Sequence, residues 1–186
     1  MYNLEVEGDH CYRVGEQGLL VHNSSALPCE CNDQYTNGPA RPLKSKLDPE
    51  VKEKREHYFE KLRSLRVKMS LPKAGTAGDN YTLAILVIVN REILGVNRSI
   101  QSPKIPITIK VNNQSKDHAE AHAVQQAVNE GRFGVTRVAR MYEDREPCPQ
   151  CGHRGNQLRP MAKELGVECL IVHVPGKEPM AFTPSK

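Results

Sequence analysis

The 186-residue sequence contains no apolar run of the roughly 18 to 20 residues that a membrane-spanning helix requires. Its first residues also lack the basic start and short apolar stretch of a signal peptide. Cysteine is scarce, because six cysteines in a chain of this length are too few for a scaffold held together by disulfides. We therefore expect a soluble chain in a reducing compartment, with one compact domain and some appended sequence.

Positive charge is distributed unevenly along the chain. Residues 1–40 hold one arginine against six acidic residues, and residues 41–73 hold eleven lysines and arginines against five acidic residues. Residues 74–186 hold fourteen lysines and arginines against eleven acidic residues. A basic segment of this kind is typical of a chain that contacts phosphates, although a solvated helix face explains it equally well.

The first segment contains two short stretches, residues 2–10 and 18–24, that resemble the last two motifs of a Hint (intein-type) domain. In such a domain Asn23 would cyclise through its side-chain amide and break the bond to Ser24. The nucleophile-bearing start of a Hint domain is not in the sequence, so we expect residues 1–23 to be an inert remnant. A plain β-hairpin extension would be equally inactive.

Residues 24–47 are rich in Ser, Pro, Asn and Gly and predict a linker. Cys29 and Cys31 lie within this linker without companion ligands, so we interpret them as free thiols rather than as a metal site. The remaining residues, 48–186, are expected to form the folded domain.

Apolar periodicity within this domain predicts helices and strands in the order α-β-β-α-β-α-β-β. The short link at residues 175–179 predicts that the last two strands are antiparallel. The expected elements are a helix from Asp48 that ends before Pro72, strands at 82–89 and 92–96, a weak edge strand at 107–111, a helix capped by Asp117, a strand at 135–141, a helical stretch at 148–165 interrupted by Gly155 and Pro160, and strands at 167–174 and 180–183.

Two motifs carry the chemistry of the sequence: His118-Ala119-Glu120, and Pro147-Cys148-Pro149-Gln150-Cys151. Together they form the zinc-deaminase signature H-x-E … P-C-x-x-C. His118, Cys148 and Cys151 would hold Zn²⁺ and leave a fourth position for water, and Glu120 would act as the proton shuttle beside that water. Each motif alone is weak, but the pair in this order is specific.

A closed structural zinc site is the main alternative, because His122 and His153 lie near the expected ligands. His153 lies five residues after Cys148, which turns it away from the metal face of a helix. His122 has the correct helical phase, but a closed site would leave Glu120 without a purpose. We therefore interpret His122 as a surface or supporting histidine.

On these motifs the chain resembles the cytidine deaminase-like superfamily, and more narrowly the deaminase domains of bacterial polymorphic toxins. The resemblance implies an α/β three-layer sandwich, in which helices flank a mixed five-stranded sheet. It also implies zinc-dependent conversion of cytosine to uracil in nucleic acid. A cognate immunity protein would be a partner, and the toxin would leave the producing bacterium and act in the cytoplasm of the target cell. We expect a monomer with no membrane partner.

Three further residues are expected to bind the substrate. The superfamily resemblance places Asn97 against the target base, although a turn-forming role explains this asparagine equally well. Tyr142 and Arg145 are expected at the mouth of the site as a stacking platform and a phosphate contact. Neighbouring candidates are Phe133, Arg140 and Arg154.

Single-stranded DNA is the expected substrate, because an unpaired cytosine avoids the cost of unstacking a duplex. RNA and double-stranded DNA are the alternatives. A non-catalytic, zinc-stabilised module that binds nucleic acid is the competing class of function.

Overall fold

The structure, a computed structural model, describes residues 49–131, 137–148 and 157–184, together with the backbone of two short strands near the N-terminus. These two strands, β1 (Cys11–Val14) and β2 (Leu19–His22), pair antiparallel as a separate two-stranded sheet. The predicted linker and Asn23 lie outside the described residues. None of the described helices has the length and apolarity to cross a membrane.

The main domain has the predicted order of elements. Its elements are α1 (Pro49–Lys68), β3 (Leu83–Ile88), β4 (Arg91–Val96), α2 (Ala119–Glu130), β5 (Val138–Glu143), α3 (Leu158–Leu165), β6 (Cys169–His173) and β7 (Met180–Phe182). Gly166 ends α3 in the left-handed conformation, as the sequence predicts for a glycine directly after a helix.

The five main strands form one mixed sheet in the order β4-β3-β5-β6-β7. The central pair, β5 and β6, is parallel, and the other three pairs are antiparallel. The antiparallel pairing of β6 with β7 confirms the prediction made from their short connection. Parallel pairing in the centre places the C-terminal end of β5 beside that of β6, and the motif cysteines follow this end of β5.

Helices cover both faces of the sheet and make a three-layer sandwich. On one face α1 packs Phe59 and Leu62 against alternate residues of β3, beginning with Leu83 and Ile85. On the other face α2 and α3 pack against the intervening positions, in the larger of the two cores. The period-two alternation of β3 therefore explains why this strand is buried on both sides.

The edge strand expected at residues 107–111 is absent, because this stretch has no regular secondary structure. Its backbone is satisfied by a side chain instead: the Oε1 atom of Gln125 accepts hydrogen bonds from the N–H groups of Thr108 (2.6 Å) and Ile109 (3.0 Å). Ile107 and Ile109 are nevertheless buried in the core beside α2. Alternating apolar residues here mark a loop that packs on the core rather than a strand.

Two expected helix starts and one expected interruption differ from the structure. Cys148, the expected start of the third helix, is not helical, and α3 begins at Leu158. Asp117 belongs to a short 3₁₀ turn, and His118 is the N-cap residue of α2. Pro160 does not interrupt a helix, because it lies in the first turn of α3, where its missing N–H group has no helical acceptor.

One cysteine departs from the expectation of a reduced chain. Cys169, fully buried in β6, is disulfide-bonded, whereas Cys148 is a free cysteine.

Candidate active site

The first part of the site is the beginning of α2, which lies very close to β4. Gly95 makes this approach possible, because a Cβ atom at this position would lie 2.0 Å from the carbonyl oxygen of Ala119. His118, directly before the helix, has extended backbone (φ −93°, ψ 157°). Its side chain is half-buried and that of Glu120 is buried. The histidine and the glutamate of the first motif therefore lie together at the N-terminus of α2.

The second part of the site is the chain that leaves β5. Pro147 is buried and Cys148 is half-buried. The Sγ atom of Cys148 lies 3.5 Å from the Nδ1 atom of His118, although the two residues are 30 positions apart. The structure thus brings together one residue from each of the two predicted motifs.

The pair fits a zinc ion. With Zn–S of about 2.3 Å and Zn–N of about 2.0–2.1 Å, a sulfur and a nitrogen on one tetrahedral ion lie about 3.5 Å apart. No group of three potential ligands occurs among the described residues. Cys151, the third expected ligand, lies outside them, as does His153. His118 and Cys148 are therefore the two ligands for which the structure supplies geometry.

A cavity of about 690 Å³ opens above this pair. Its wall includes His118, Glu120 and Cys148, so the groups of both motifs meet in one concave site. The volume lies within the range of roughly 300 to 1,000 Å³ that is common for small-molecule sites. A planar ring of nucleobase size can enter such a cavity.

Glu143, the last residue of β5, was not predicted from the sequence. Its side chain is fully buried, and neither carboxyl oxygen has a hydrogen-bond partner within the described part of the chain. Burial raises the pKa of this carboxyl well above its usual range, and the charges of Glu120, Asp144 and Cys148 raise it further. Burial and the neighbouring negative charges both favour the protonated form of this carboxyl. The alternation of Ala139, Met141 and Glu143 places it on the face of the sheet that carries α2.

His122 is occupied by the fold. Its Nδ1 atom accepts a hydrogen bond from the backbone N–H of Val96 at 3.1 Å. Burial lowers the pKa of His122, and a ring nitrogen that accepts a hydrogen bond is unprotonated. The imidazole therefore stays neutral and ties the end of β4 to α2. This observation favours the supporting role over a fourth zinc ligand.

Asn97 and Arg145 both lie on the wall of the cavity. The Oδ1 atom of Asn97 already accepts a hydrogen bond from the N–H of Thr82, and its Nδ2 atom lies 3.5 Å from the carbonyl oxygen of Asp117. Arg145 donates from Nη1 to the carbonyl oxygen of Asp79 at 2.9 Å. Both side chains are therefore in place and held by the surrounding loops.

Tyr142 is not a platform at the mouth, and this prediction is wrong. Its side chain is only 2% exposed and lies on the α1 side of the sheet. It stacks on Tyr58 on one side and on His173 on the other, with ring centroids 4.3 and 4.7 Å apart. Both faces of the ring are covered, so no base can stack on it. Phe133 and Arg154 lie outside the described residues.

Four cavity residues were missed by the sequence analysis: Asn80, Thr82, Glu146 and Lys177. Asn80 and Thr82 belong to the loop before β3, and Lys177 belongs to the turn between β6 and β7. Glu146 directly precedes the second motif, and this position was the one available signal. Asn80, Thr82 and Lys177 are far from both motifs in the sequence, and only the folded sheet brings them to the cavity.

Four of the eight basic residues that the structure describes in segment 41–73 form ion pairs within the protein. Lys54, Lys61 and Arg63 form ion pairs with glutamates. Arg66 is buried and pairs with both Asp79 and Asp144. Part of the positive charge of α1 is therefore neutralised within the protein, and Arg66 is the one buried ion-paired residue among these four.

Comparison with known proteins agrees with the motif. Residues 59–163 match the MafB19-like deaminase family. No curated protein matches the chain. Among solved structures, the chain is similar to a crystal structure of cytidine deaminase from Burkholderia pseudomallei, with 19% identity and a TM-score of 0.37 over 69% of this chain and 91% of that chain. Since the family match spans more than half of the sequence, this chain belongs to the MafB19-like deaminase family.

Proposed function

We propose that this protein is a zinc-dependent deaminase that converts cytosine to uracil in nucleic acid, with single-stranded DNA as its substrate. The observation that carries the proposal is the 3.5 Å approach of Cys148 Sγ to His118 Nδ1 at a cavity that also contains Glu120. A structural site would not need a cavity of this size above the ligands, nor a buried carboxylate beside them.

The expected metal ligands are His118, Cys148 and Cys151. Bound there, Zn²⁺ would act as a Lewis acid that activates water at neutral pH. Two of these ligands flank the cavity wall, so the target base would enter with its reacting edge toward them. The thiolate and imidazole donors are of the type that zinc prefers.

Glu120 is the proposed proton carrier. It would take a proton from the attacking water and deliver it to ring N3 of cytosine, and it would then protonate the departing amine. The balance is cytosine plus water to uracil plus ammonia. Burial of Glu120 at the cavity wall keeps the carboxylate close to the reacting atoms.

Asn97 and Arg145 are the proposed substrate contacts. Asn97 has a carboxamide at the wall of the cavity, where it can face the base. Arg145 lies beside the chain that carries Cys148, where a phosphate adjoining the base would emerge. An unpaired cytosine reaches this cavity without unstacking a duplex, which favours single-stranded DNA.

The biological setting is proposed from the sequence. The Hint-like stretch within residues 1–23, the linker at 24–47 and the deaminase domain at 48–186 form an architecture that resembles a bacterial polymorphic toxin. In that setting the protein would leave the producing cell and act in the cytoplasm of a rival. A cognate immunity protein would protect the producer.

The test is incubation of the purified, zinc-loaded chain with matched single-stranded DNA, duplex DNA, RNA and cytidine, scored for uracil. We expect uracil to form fastest in single-stranded DNA. In the Glu120→Ala variant we expect zinc to stay bound and uracil formation to fall by at least about 100-fold, because the proton carrier is gone.

The control is His57→Ala, which alters an exposed residue of α1. This variant is expected to keep full activity. Activity in Glu120→Ala equal to that of the parent, or no uracil from any substrate, would overturn the proposal. In the second case, DNA binding that persists would indicate a non-catalytic binding module.

A further inference from the structure

We propose that Lys177 and Arg145 form a phosphate clamp at the rim of the cavity, and that Glu146 holds Lys177 until substrate arrives. The clamp would bind the phosphate that adjoins the target cytosine. This inference rests on the proposed function and adds the substrate contact that a free nucleoside cannot make.

Lys177 is the first half of the clamp. It lies on the cavity wall, in the turn that joins β6 to β7. Its Nζ atom is 2.5 Å from Oε2 of Glu146, and the two side chains are 53% and 50% exposed. An ion pair this exposed is weak, so a phosphate can displace the carboxylate and take over the ammonium group.

The backbone under Lys177 is held in place from the other side of the sheet. Arg55 of α1 donates from Nη2 to the carbonyl oxygens of Val174 (3.1 Å) and Lys177 (2.6 Å). This cross-link, between residues more than one hundred positions apart, fixes the turn against α1. The side chain of Lys177 can therefore change partner while its Cα atom stays in place.

Arg145 is the second half of the clamp. Its guanidinium group donates to the carbonyl oxygen of Asp79 at 2.9 Å and lies 3.6 Å from the carboxylate of the same residue. Asp79 is itself held by buried Arg66 and by the N–H groups of Gly75 (2.9 Å) and Tyr81 (3.1 Å). The guanidinium group is therefore presented from a rigid loop, which limits the entropy lost when it binds a ligand.

The chemistry of the rim points to phosphate rather than to a neutral group. The metal-ligand pair and Glu120 occupy the inner wall, where the base must react, so the attached sugar and its phosphate face the rim. Two cations there attract the negative charge of a phosphodiester, and the guanidinium fork matches its oxygens. Displaced Glu146 remains solvated because its side chain is half exposed.

The first experiment measures binding of a fluorescent single-stranded oligodeoxynucleotide to the zinc-loaded full chain in the Glu120→Ala background, across a series of salt concentrations. We expect Lys177→Gln to raise Kd about three- to tenfold and to lower the salt slope by about one. Glu146→Gln should lower Kd, because Lys177 is released. The double variant, Lys177→Gln with Glu146→Gln, should not show this lower Kd, because the lysine is no longer there to be released. Equal Kd values in all variants would overturn the clamp.

The matched control is Arg91→Gln, which removes one positive charge from another exposed ion pair. Arg91 begins β4, at the opposite end of that strand from Asn97. Its effect on Kd and on the salt slope should be small. An effect as large as that of Lys177→Gln would show that net charge, rather than the rim, governs binding, and would overturn the proposal.

The second experiment compares KM for cytidine, cytidine 5′-monophosphate and the oligonucleotide in the active chain. Lys177→Gln should raise KM for one or both of the phosphate-bearing substrates and leave cytidine unchanged, and the affected substrate identifies the source of the phosphate. An equal rise with cytidine would overturn the clamp. Absence of uracil from the unaltered chain would refute the proposed function, while the binding experiment would still decide the clamp.

Discussion

At the scale of single residues, the role of His122 distinguishes a zinc site with a position left for water from a closed site with four protein ligands. It is one helical turn from His118 and has the phase of a second ligand. Its Nδ1 atom instead accepts the N–H of Val96, which fixes the end of β4 just before Asn97. The histidine thus holds the end of β4 against α2.

We predict that His122→Phe will lower the free energy of unfolding by about 1–3 kcal/mol, because the buried N–H of Val96 loses its acceptor. Zinc content per chain should not change. Urea unfolding together with elemental analysis checks both outcomes. A variant that loses its zinc would identify His122 as a ligand and restore the closed site.

His173 shows a different residue-scale effect on the α1 side of the sheet. Its ring stacks on Tyr142, and neither ring nitrogen has a hydrogen-bond partner among the described residues. Burial lowers the pKa of His173 to about 3, and the positive charges of Arg55 and Arg140 add to this effect. The ring is neutral in the folded protein at neutral pH.

The sign of the resulting pH dependence follows from the pKa values. In the unfolded chain the histidine titrates near pH 6.5, so between about pH 6.5 and 3 the unfolded state binds a proton that the folded state does not. The stability contribution is complete above pH 6.5 and is lost as the pH falls. One such group changes stability by at most about 1.4 kcal/mol per pH unit.

We predict that His173→Phe will retain the ring stack and remove this acid sensitivity. At pH 7 the variant should be at least as stable as the parent, since two buried nitrogens without partners are replaced by carbon. Between pH 6.5 and 4 its free energy of unfolding should fall less steeply. Urea unfolding at several pH values measures the slopes, and parallel curves for the two proteins would contradict the account.

At the scale of elements, the position of α2 depends on its close approach to β4. Gly95 lies opposite the first turn of the helix, with the Cβ of Ala123 and the carbonyl oxygen of Ala119 within clashing distance of any side chain at that position. His118 and Glu120 belong to the same helix terminus. Packing against β4 therefore sets the place of two proposed functional groups.

We predict that Gly95→Ala will push α2 away from the sheet, lower stability by about 1–3 kcal/mol or more, and weaken zinc binding. Thermal unfolding and zinc competition titration measure the two effects. The control is Gly75→Ala, which strains a loop glycine with φ +74° but meets no atom within 4 Å. It should lower stability without changing zinc affinity. Unchanged zinc affinity in Gly95→Ala would contradict the role assigned to this contact.

Elements whose position is determined by nearby residues could be predicted from the sequence, and elements that depend on distant residues could not. The continuous apolar run of β3 and the glycine that ends α3 have local causes, so their positions follow from nearby residues. The alternation at 107–111 is equally local, but its N–H groups are satisfied by Gln125, which lies in a helix further along the chain. No nearby residue reveals that partner.

At the scale of the whole molecule, the site also combines residues that the local sequence predicts with residues that only the complete fold brings together. His118, Glu120 and Cys148 were predicted because their spacing is a property of the sequence. Whether Tyr142 faces the cavity or the core depends on which face of β5 meets α1, and that is decided by the complete sheet. Lys177 reaches the cavity only because β6 and β7 pair beside β5.

The distribution of charge also changes meaning once the chain is folded. The basic segment suggested a track for phosphates, but Arg66 is buried between two aspartates and supports the loop that holds Arg145. The cations at the cavity come instead from residues far apart in the sequence. Net charge by segment therefore did not indicate the two cations that line the cavity, Arg145 and Lys177.

The central claim is that His118, Cys148 and Cys151 hold one zinc ion with a position left for water. Zinc K-edge X-ray absorption on the purified chain, with metal content measured on the same sample, tests it most directly. We expect one zinc per chain, with two sulfur, one nitrogen and one non-protein oxygen neighbours. A folded chain without zinc, or a zinc ion bound by four protein side chains, would contradict it.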